Sequence, residues 1–98
     1  MSLDKMKALR FHLWSNVDFV ELIDCIAGAI NVLVPTDDIQ LVNDELYVRD
    51  KIKVKSVRCS YNSRNIEIWY FDETADLARE IYNLVFERVR SIINVYPQ

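Results

Sequence analysis

The sequence predicts a single α+β domain over residues 1–98, a two-layer sandwich whose two helices pack on one face of an antiparallel sheet in the order β-α-β-β-β-α. Three observations predict this fold. Two long segments repeat apolar residues at helical spacing, which is typical of helices that bury one face. Shorter segments alternate apolar and polar residues, which is typical of half-buried strands. With one Gly and two Pro, the chain has no composition for a long flexible linker.

The first strand is predicted over residues 7–14, where apolar and polar side chains alternate. A helix is the competing interpretation of this stretch. Ser15 and Asp18 are suited to cap the start of the first helix, and Pro35 ends it because the residue before a proline is pushed out of the α-helical region. The apolar face of this helix is formed by Phe19, Leu22, Ile23, Ile26, Ala27, Ile30 and Val34.

The middle of the chain is predicted to form short strands over residues 39–42 and 46–48 and then a longer strand from Lys51. The alternation of the longer strand changes phase, which predicts a β-bulge near Ser56 and Val57. After that change we expect Val57, Cys59 and Tyr61 to point inward. A turn over residues 62–65 joins this strand to the next, whose inward residues are Ile66, Ile68 and Tyr70.

The last helix has the most regular amphipathic pattern, and Asp72 or Thr74 is suited to cap it. Phe86 departs from its polar face and lies beside Arg79, Asn83 and Arg90. We interpret Phe86 as a candidate anchor for a partner, because aromatic side chains often anchor interfaces. An isolated surface aromatic is the alternative. The apolar face is formed by Ala78, Ile81, Tyr82, Val85, Val89, Ile92, Ile93 and Tyr96.

Several classes of function are excluded by composition. No apolar run approaches the ~18 to 20 residues that cross a bilayer, and the first ten residues lack the pattern of a signal peptide, so we expect a soluble cytosolic chain without membrane contact. Cys25 and Cys59 are too far apart in sequence to form a local zinc or redox motif, and we expect two buried free thiols.

No catalytic or metal-binding motif is present, so we expect neither an enzyme nor a cofactor. The acids of residues 37–45 lack the spacing and the Gly of a calcium loop, and Asp18, Glu21 and Asp24 have no neighbouring His. His12 is the only histidine, and its position on the outward side of a strand predicts an exposed imidazole.

Charge is distributed unevenly along the chain behind a formal net charge of −3. Residues 11–48 contain seven acids and no Lys or Arg, whereas residues 49–64 contain six basic residues and one acid. Alternate residues of a strand lie about 7 Å apart, which is the spacing of Lys51, Lys53 and Lys55. Together with Arg58, these side chains could contact successive phosphates of a nucleic acid. Trp69 and Phe71 then lie on the face away from the core, where aromatic rings can stack on bases.

Two other interpretations of the basic strand remain open. Lys side chains protect an edge strand from pairing with other chains. Acidic and basic surfaces also allow copies of one chain to associate. The acidic net charge argues against strong, general binding of nucleic acid.

Two stretches resemble the small dimerising subunit of KEOPS, the complex that installs threonylcarbamoyladenosine on tRNA. They are LRFHLWS at residues 9–15, which leads into a helix closing with VPTDD, and NIEIWYFDETADLAREIYNLVFERV at residues 65–89. The chain differs from that family in a longer first helix and in the additional segment at residues 39–48. A divergent relative of the family, of archaeal origin, fits these differences as well as a true member does.

The resemblance implies a KH-like or ferredoxin-like fold, pairing through sheets, and helices that dock on a larger catalytic subunit, with Arg79, Asn83, Phe86 and Arg90 on the docking helix. The leading hypothesis from the sequence is a non-catalytic subunit that forms a homodimer and contacts a larger protein, because no catalytic motif is present and two helices are strongly amphipathic. The alternative is a small RNA- or DNA-binding module that uses Lys51, Lys53, Lys55 and Arg58.

Overall fold

The computed structural model describes residues 6–15, 17, 19–92 and 95–97. Within these residues, two helices and six strands follow one another. They are β1 (Lys7–Trp14), α1 (Phe19–Ile30), β2 (Ile39–Val42), β3 (Glu45–Val48), β4 (Ile52–Ser60), β5 (Ser63–Tyr70), α2 (Ala75–Arg90) and β6 (Val95–Pro97). Short 3-10 turns, Thr36–Asp38 and Asp72–Thr74, precede β2 and α2.

The strands form one antiparallel sheet in the order β2-β3-β4-β5-β1-β6. The predicted fold class and element order are confirmed, and the structure divides the middle region into four strands and adds β6. β1 is a strand over the residues predicted, so the helical interpretation of that stretch is wrong.

Both helices cover the same face of the sheet, as predicted, and their apolar faces join those of the strands in one core. The Phe11 side chain at its centre is fully buried. The predicted inward residues of both helices are mostly buried, but Ile92, just after α2, is 61% exposed. Tyr96 belongs to β6 and not to the last helix, so the prediction for it is wrong, and Ile93 and the side chains of Phe19 and Tyr96 lie outside what the structure describes. The core contains Leu22, Ile26 and Ile30 of α1, Ala78, Ile81, Val85 and Val89 of α2, and Leu13, Leu46, Val48, Ile52, Val54, Ile66 and Ile68 of the sheet.

The turns of the β2–β4 meander use residues in the left-handed region of backbone conformation. Asn43 and Asp44 have φ values of 52° and 64°, which is the pattern of a type I′ hairpin turn between strands that pair at Val42 and Glu45. Arg49 and Asp50 also have positive φ values, 55° and 58°. Asn and Asp tolerate this conformation better than most residues, because their short polar side chains bond locally.

The end of the β4–β5 hairpin differs from the prediction. The register shifts between Arg58 and Ser60 and not at Ser56 and Val57, so the alternation of β4 continues unbroken through Val57. Arg58 is exposed although its strand position lies on the helix side, which means that the helical layer does not reach this end of the sheet. The prediction that Val57, Cys59 and Tyr61 point inward is therefore wrong, and all three are exposed.

The helix boundaries and the cysteines also differ from expectation. α1 ends at Ile30, and turns occupy residues 31–34 before Pro35. Ser15 Oγ accepts a hydrogen bond of 3.0 Å from the Val17 amide, whereas Asp18, the other predicted cap residue, lies outside the described residues. Both cysteines are free thiols, but Cys25 is only half-buried and Cys59 is exposed, so the prediction of burial fails.

Candidate interaction surface

The face of the sheet that points away from the helices is the candidate surface, and we call it the open face. The strand register shows which residues belong to the open face. Lys53 of β4 lies opposite Trp69 of β5, and Glu67 of β5 lies between Lys55 of β4 and Arg10 of β1. No helix of the described residues covers it. The open face comprises Gln40, Val42, Glu45, Tyr47, Lys53, Lys55, Val57, Ser63, Asn65, Glu67, Trp69, Ala8, Arg10, His12 and Trp14.

Glu67 is the centre of the open face and is 8% exposed. Arg10 Nε donates to Glu67 Oε2 at 2.8 Å, and Trp69 Nε1 donates to Glu67 Oε1 at 3.0 Å. The Arg10 guanidinium carbon lies 5.4 Å from the Trp69 ring centroid, and Lys55 Nζ lies 5.8 Å from it. Both distances are within the range of cation–π attraction, so one carboxylate, one indole and two cations hold one another in place.

The electrostatics of Glu67 follow from this arrangement. Burial by itself raises the pKa of the Glu67 carboxyl, but the hydrogen bonds from Arg10 and Trp69 and the charges of Arg10 and Lys55 outweigh it. The pKa therefore lies below its ordinary value of 4.5. Glu67 is ionised at neutral pH, which suits a structural ion pair better than a general acid.

A second group of polar contacts lies beside this cluster, on β3 and β4. Tyr47 Oη donates to Glu45 Oε1 at 2.9 Å, and Lys53 Nζ lies 3.9 Å from the same oxygen. The bond to Glu45 raises the pKa of the Tyr47 phenol. Lys53 Nζ also lies 6.0 Å from the Tyr47 ring centroid.

His12 lies on the open face but is half-buried, so the expectation of an exposed imidazole is wrong. Its Nδ1 lies 2.8 Å from Asn65 Oδ1, a distance at which the protonated ring nitrogen donates to the amide oxygen. The imidazole also meets the Trp14 ring edge-on, with 4.8 Å between centroids. Asn65 and Trp14 therefore fix the orientation of this ring.

Exposed apolar side chains lie at the end of the open face, near the tip of the β4–β5 hairpin. Trp14 is 54% exposed, Val57 is 38% exposed and Tyr61 is 83% exposed. Trp14 and Tyr61 line an open cleft of about 290 Å³ together with Ser15 and Asn62. Large aromatic side chains at such exposure are typical of surfaces that bind other molecules.

The predicted nucleic-acid residues do not share one surface. Lys53 and Lys55 lie on the open face beside Trp69, as predicted, and both contact the groups already described. Lys51 is exposed in the turn before β4, and Arg58 lies at a position on the helix side of that strand. Phe71 follows β5 and is half-buried, so Trp69 is the aromatic residue of this pair on the open face.

The predicted partner-binding residues of α2 are also divided. Arg79, Asn83 and Arg90 are exposed. Phe86 is half-buried and meets Phe11 edge-on at 5.3 Å between centroids, and it stacks on Tyr82 at 6.0 Å. Phe86 therefore lies on the flank of the core and not on the polar face of the helix.

Sequence reasoning missed Glu67 and Arg10, the most strongly connected residues of the open face. A signal was present, because an acid at an outward strand position between Ile66 and Ile68 needs a partner when the neighbouring strands bear long side chains. The register of β1 against β5 identifies Arg10 as that partner, and register cannot be read from either strand alone.

Among the described residues, no group of three or more His, Cys, Asp or Glu is placed to hold a metal ion. Within the same residues, no helix is long and apolar enough to span a membrane. Comparison with models of protein families, with curated proteins and with solved structures finds no significant match.

Proposed function

We propose that this chain is a non-catalytic, cytosolic interaction subunit that self-associates through its open face and docks on a larger protein. The observation that carries the proposal is the exposure of Trp14, Val57 and Val42 on a sheet face that the helices leave uncovered. An antiparallel sheet with one solvated face normally alternates to polar residues there. Trp, Tyr and Arg on such a face are the residue types that interfaces favour.

The size of the open face supports this role. Three of the strands have eight or nine residues and the other three have three or four, so at about 3.3 Å per residue and about 4.8 Å between strands the face measures roughly 570 Å². A standard protein interface buries roughly 800 Å² on each partner. Covering the open face with a second copy would therefore bury about seven-tenths of the area that a standard interface buries on each partner.

The charges at the centre of the open face do not oppose association. Glu67 is already paired with Arg10 and bonded to Trp69, and Lys53 approaches Glu45. Paired and hydrogen-bonded charges cost less to cover than isolated ones. The open face therefore combines an apolar margin with a centre that needs no new ionic partner.

Light scattering across micromolar concentrations tests self-association. We expect the unaltered chain to have twice the monomer mass and Trp14→Ser/Val57→Ser to shift towards monomer. The matched control is Val20→Ser/Ile92→Ser, which removes exposed apolar side chains from outside the sheet and should leave the mass unchanged. A monomeric unaltered chain, or equal effects of the two double variants, would contradict the proposal.

The resemblance of residues 9–15 and 65–89 to the small KEOPS subunit supports tRNA modification as the process that the larger partner serves. Arg79, Asn83 and Arg90 are the exposed residues of α2 that this role would use for docking. Affinity capture from the native cell, compared with an Arg79→Glu/Arg90→Glu variant, tests the role. Recovery of the same partners with both proteins would contradict docking through α2.

Binding of RNA or DNA is the second candidate, and the placement of Lys53 and Lys55 beside Trp69 favours it. Cations that track phosphates next to an aromatic ring are typical of sheet surfaces that bind single strands. A salt-sensitive gel shift with tRNA should weaken in Lys53→Glu/Lys55→Glu and not in Arg79→Glu/Arg90→Glu. Absence of any shift at low salt would refute this candidate.

A further inference from the structure

An open groove of about 360 Å³ lies on the helix side of the molecule, between α1 and the edge strand β2. We call it the edge groove. It lies on the opposite side of the sheet from the open face, so its function is independent of the one proposed above. Its lining is mainly apolar and comprises Ile23, Ala27, Gly28, Ile39, Leu41 and Leu46, with Asp24, Asn31 and Thr36 as its polar members.

The strand beside the edge groove has one unpaired side. β2 pairs with β3 alone and is the outermost strand of the described sheet on that side. Its four residues, IQLV, include neither the Lys nor the Pro that commonly blocks an edge strand. Leu41, on the groove side, is 55% exposed, so the helical layer stops short of this edge.

The surroundings of the edge groove are mainly acidic, and Arg88 is a basic residue whose guanidinium lies close to Gly28 of the lining. Asp24 lines it, Glu21 lies one turn earlier on α1, and Asp37 and Asp44 flank β2 at its two ends. All four are exposed, and none of them has an ion pair within the part of the chain that the structure describes. Residues 11–48 contribute no Lys or Arg to balance them.

We propose that the edge groove and β2 together bind an extended, basic segment of a partner protein. The segment adds an antiparallel strand to the unpaired side of β2 through main-chain hydrogen bonds. Its alternate apolar side chains enter the groove beside Leu41, and its Lys or Arg side chains, which point to the other face of the sheet, reach Asp37 and Asp44 at the two ends of β2. Strand addition of this kind takes affinity from the main chain and specificity from alternate side chains.

Charge selects this occupant over a second copy of the chain. Antiparallel pairing of two β2 strands would bring Asp37 of one copy near Asp44 of the other. Like charges placed opposite one another in a sheet are destabilising. A basic segment meets the same acids with favourable charge, and it gains from the apolar floor that a purely ionic contact would not use.

The test uses a labelled synthetic peptide in which Lys and Val alternate, measured by fluorescence anisotropy at low and high salt. We expect saturable binding that weakens with salt, and shifts of the Ile39–Val42 amide signals in NMR spectra. A peptide in which Glu and Val alternate should bind at least about tenfold more weakly, and so should one in which Lys and Thr alternate.

Variants localise the binding. Asp37→Lys and Leu41→Lys change exposed side chains, so they should leave the fold intact and weaken binding about tenfold. Their matched controls, Glu80→Lys and Ile92→Lys, lie on and just after α2 and should bind as the unaltered chain does. Equal binding by Leu41→Lys, equal affinity for the acidic peptide, or amide shifts confined to the open face would overturn the proposal. A β2-mediated dimer that excludes the peptide would also overturn it.

Discussion

Replacing Glu67 with Gln tests whether the charge cluster of the open face stabilises the fold. The substitution keeps the size of the side chain and removes its charge. A Gln side chain offers one oxygen, whereas the carboxylate accepts from both Arg10 and Trp69. One of these donors must then face an amide NH₂ group.

The expected cost follows from the environment of the two donors. A hydrogen bond to a charged group contributes about 1.5–3 kcal/mol. The Arg10 side chain is 40% exposed and can turn to water, which places the loss near the middle of that range, at about 2 kcal/mol. For a domain of this size, a loss of 2 kcal/mol lowers Tm by about 8–16 °C.

The dependence on pH separates the effect of the lost charge from any other effect of the substitution. The folded pKa of Glu67 is depressed, so its contribution is fully present above the ordinary value of 4.5 and is lost as pH falls through the folded pKa. Thermal unfolding followed by circular dichroism should show the full difference at pH 7 and a shrinking one as pH falls below the ordinary value of 4.5.

Glu80→Gln is the control for Glu67→Gln, because Glu80 is exposed on α2 and has no ion pair among the described residues. It should melt within about 2 °C of the unaltered chain, as surface substitutions usually do. Two results would refute the reasoning: equal Tm values for Glu67→Gln and the unaltered chain at pH 7, or a difference that stays constant down to pH 3.

Four further outcomes are expected. Phe11→Ala, at a fully buried position, should lower the free energy of unfolding by about 3–5 kcal/mol in urea titrations, and a loss below about 1 kcal/mol would contradict its central place in the core. Phe86→Ala should cost about 2 kcal/mol because its half-buried ring packs on Phe11, and weaker partner capture without a loss of stability would contradict this. Asp44→Gly should raise stability by about 0.5–1 kcal/mol because its φ is 64°, and a lower urea midpoint would argue against the turn. Cys59, which is exposed, should react with a thiol reagent before Cys25, whose pKa is raised by burial, and the reverse order by mass spectrometry would contradict their placement.

Periodicity predicted the elements and the layer they form, because the helical and strand repeats of this chain are long and regular. The apolar residues of α2 and the strand over residues 7–14 are where their spacing places them. The predicted change of phase at Val57 was wrong because exposed apolar residues continue along β4 past the point where the helices stop. A sequence pattern reports polarity, and it carries no information about how far the opposite layer extends.

The candidate surface was predictable only in part. Lys53, Lys55 and Trp69 share a face because each alternates with buried neighbours. Glu67 and Arg10 could not be paired in advance, since their contact joins strands 57 residues apart in sequence. The prediction for Phe86 was wrong because this side chain, at the edge of the apolar face of α2, packs on Phe11 of β1. The buried surface of α2 is therefore wider than the amphipathic pattern of its sequence indicates.

The place of β1 between β5 and β6 has a kinetic consequence. Strands β2 to β5 are joined by short turns and can pair while the rest of the chain is still unfolded. The pairing of β1 with β5 instead joins residues that are far apart in sequence, such as Lys7 and Tyr70. Closing so large a loop delays the contact, because its entropy is lost before the pairing contributes. Before β1 pairs with β5, the backbone hydrogen-bonding groups along that edge of β5 have no partner strand, and Ile66 and Ile68 lack their neighbours on β1. We therefore expect β5 to be the strand through which a partly folded chain aggregates most readily.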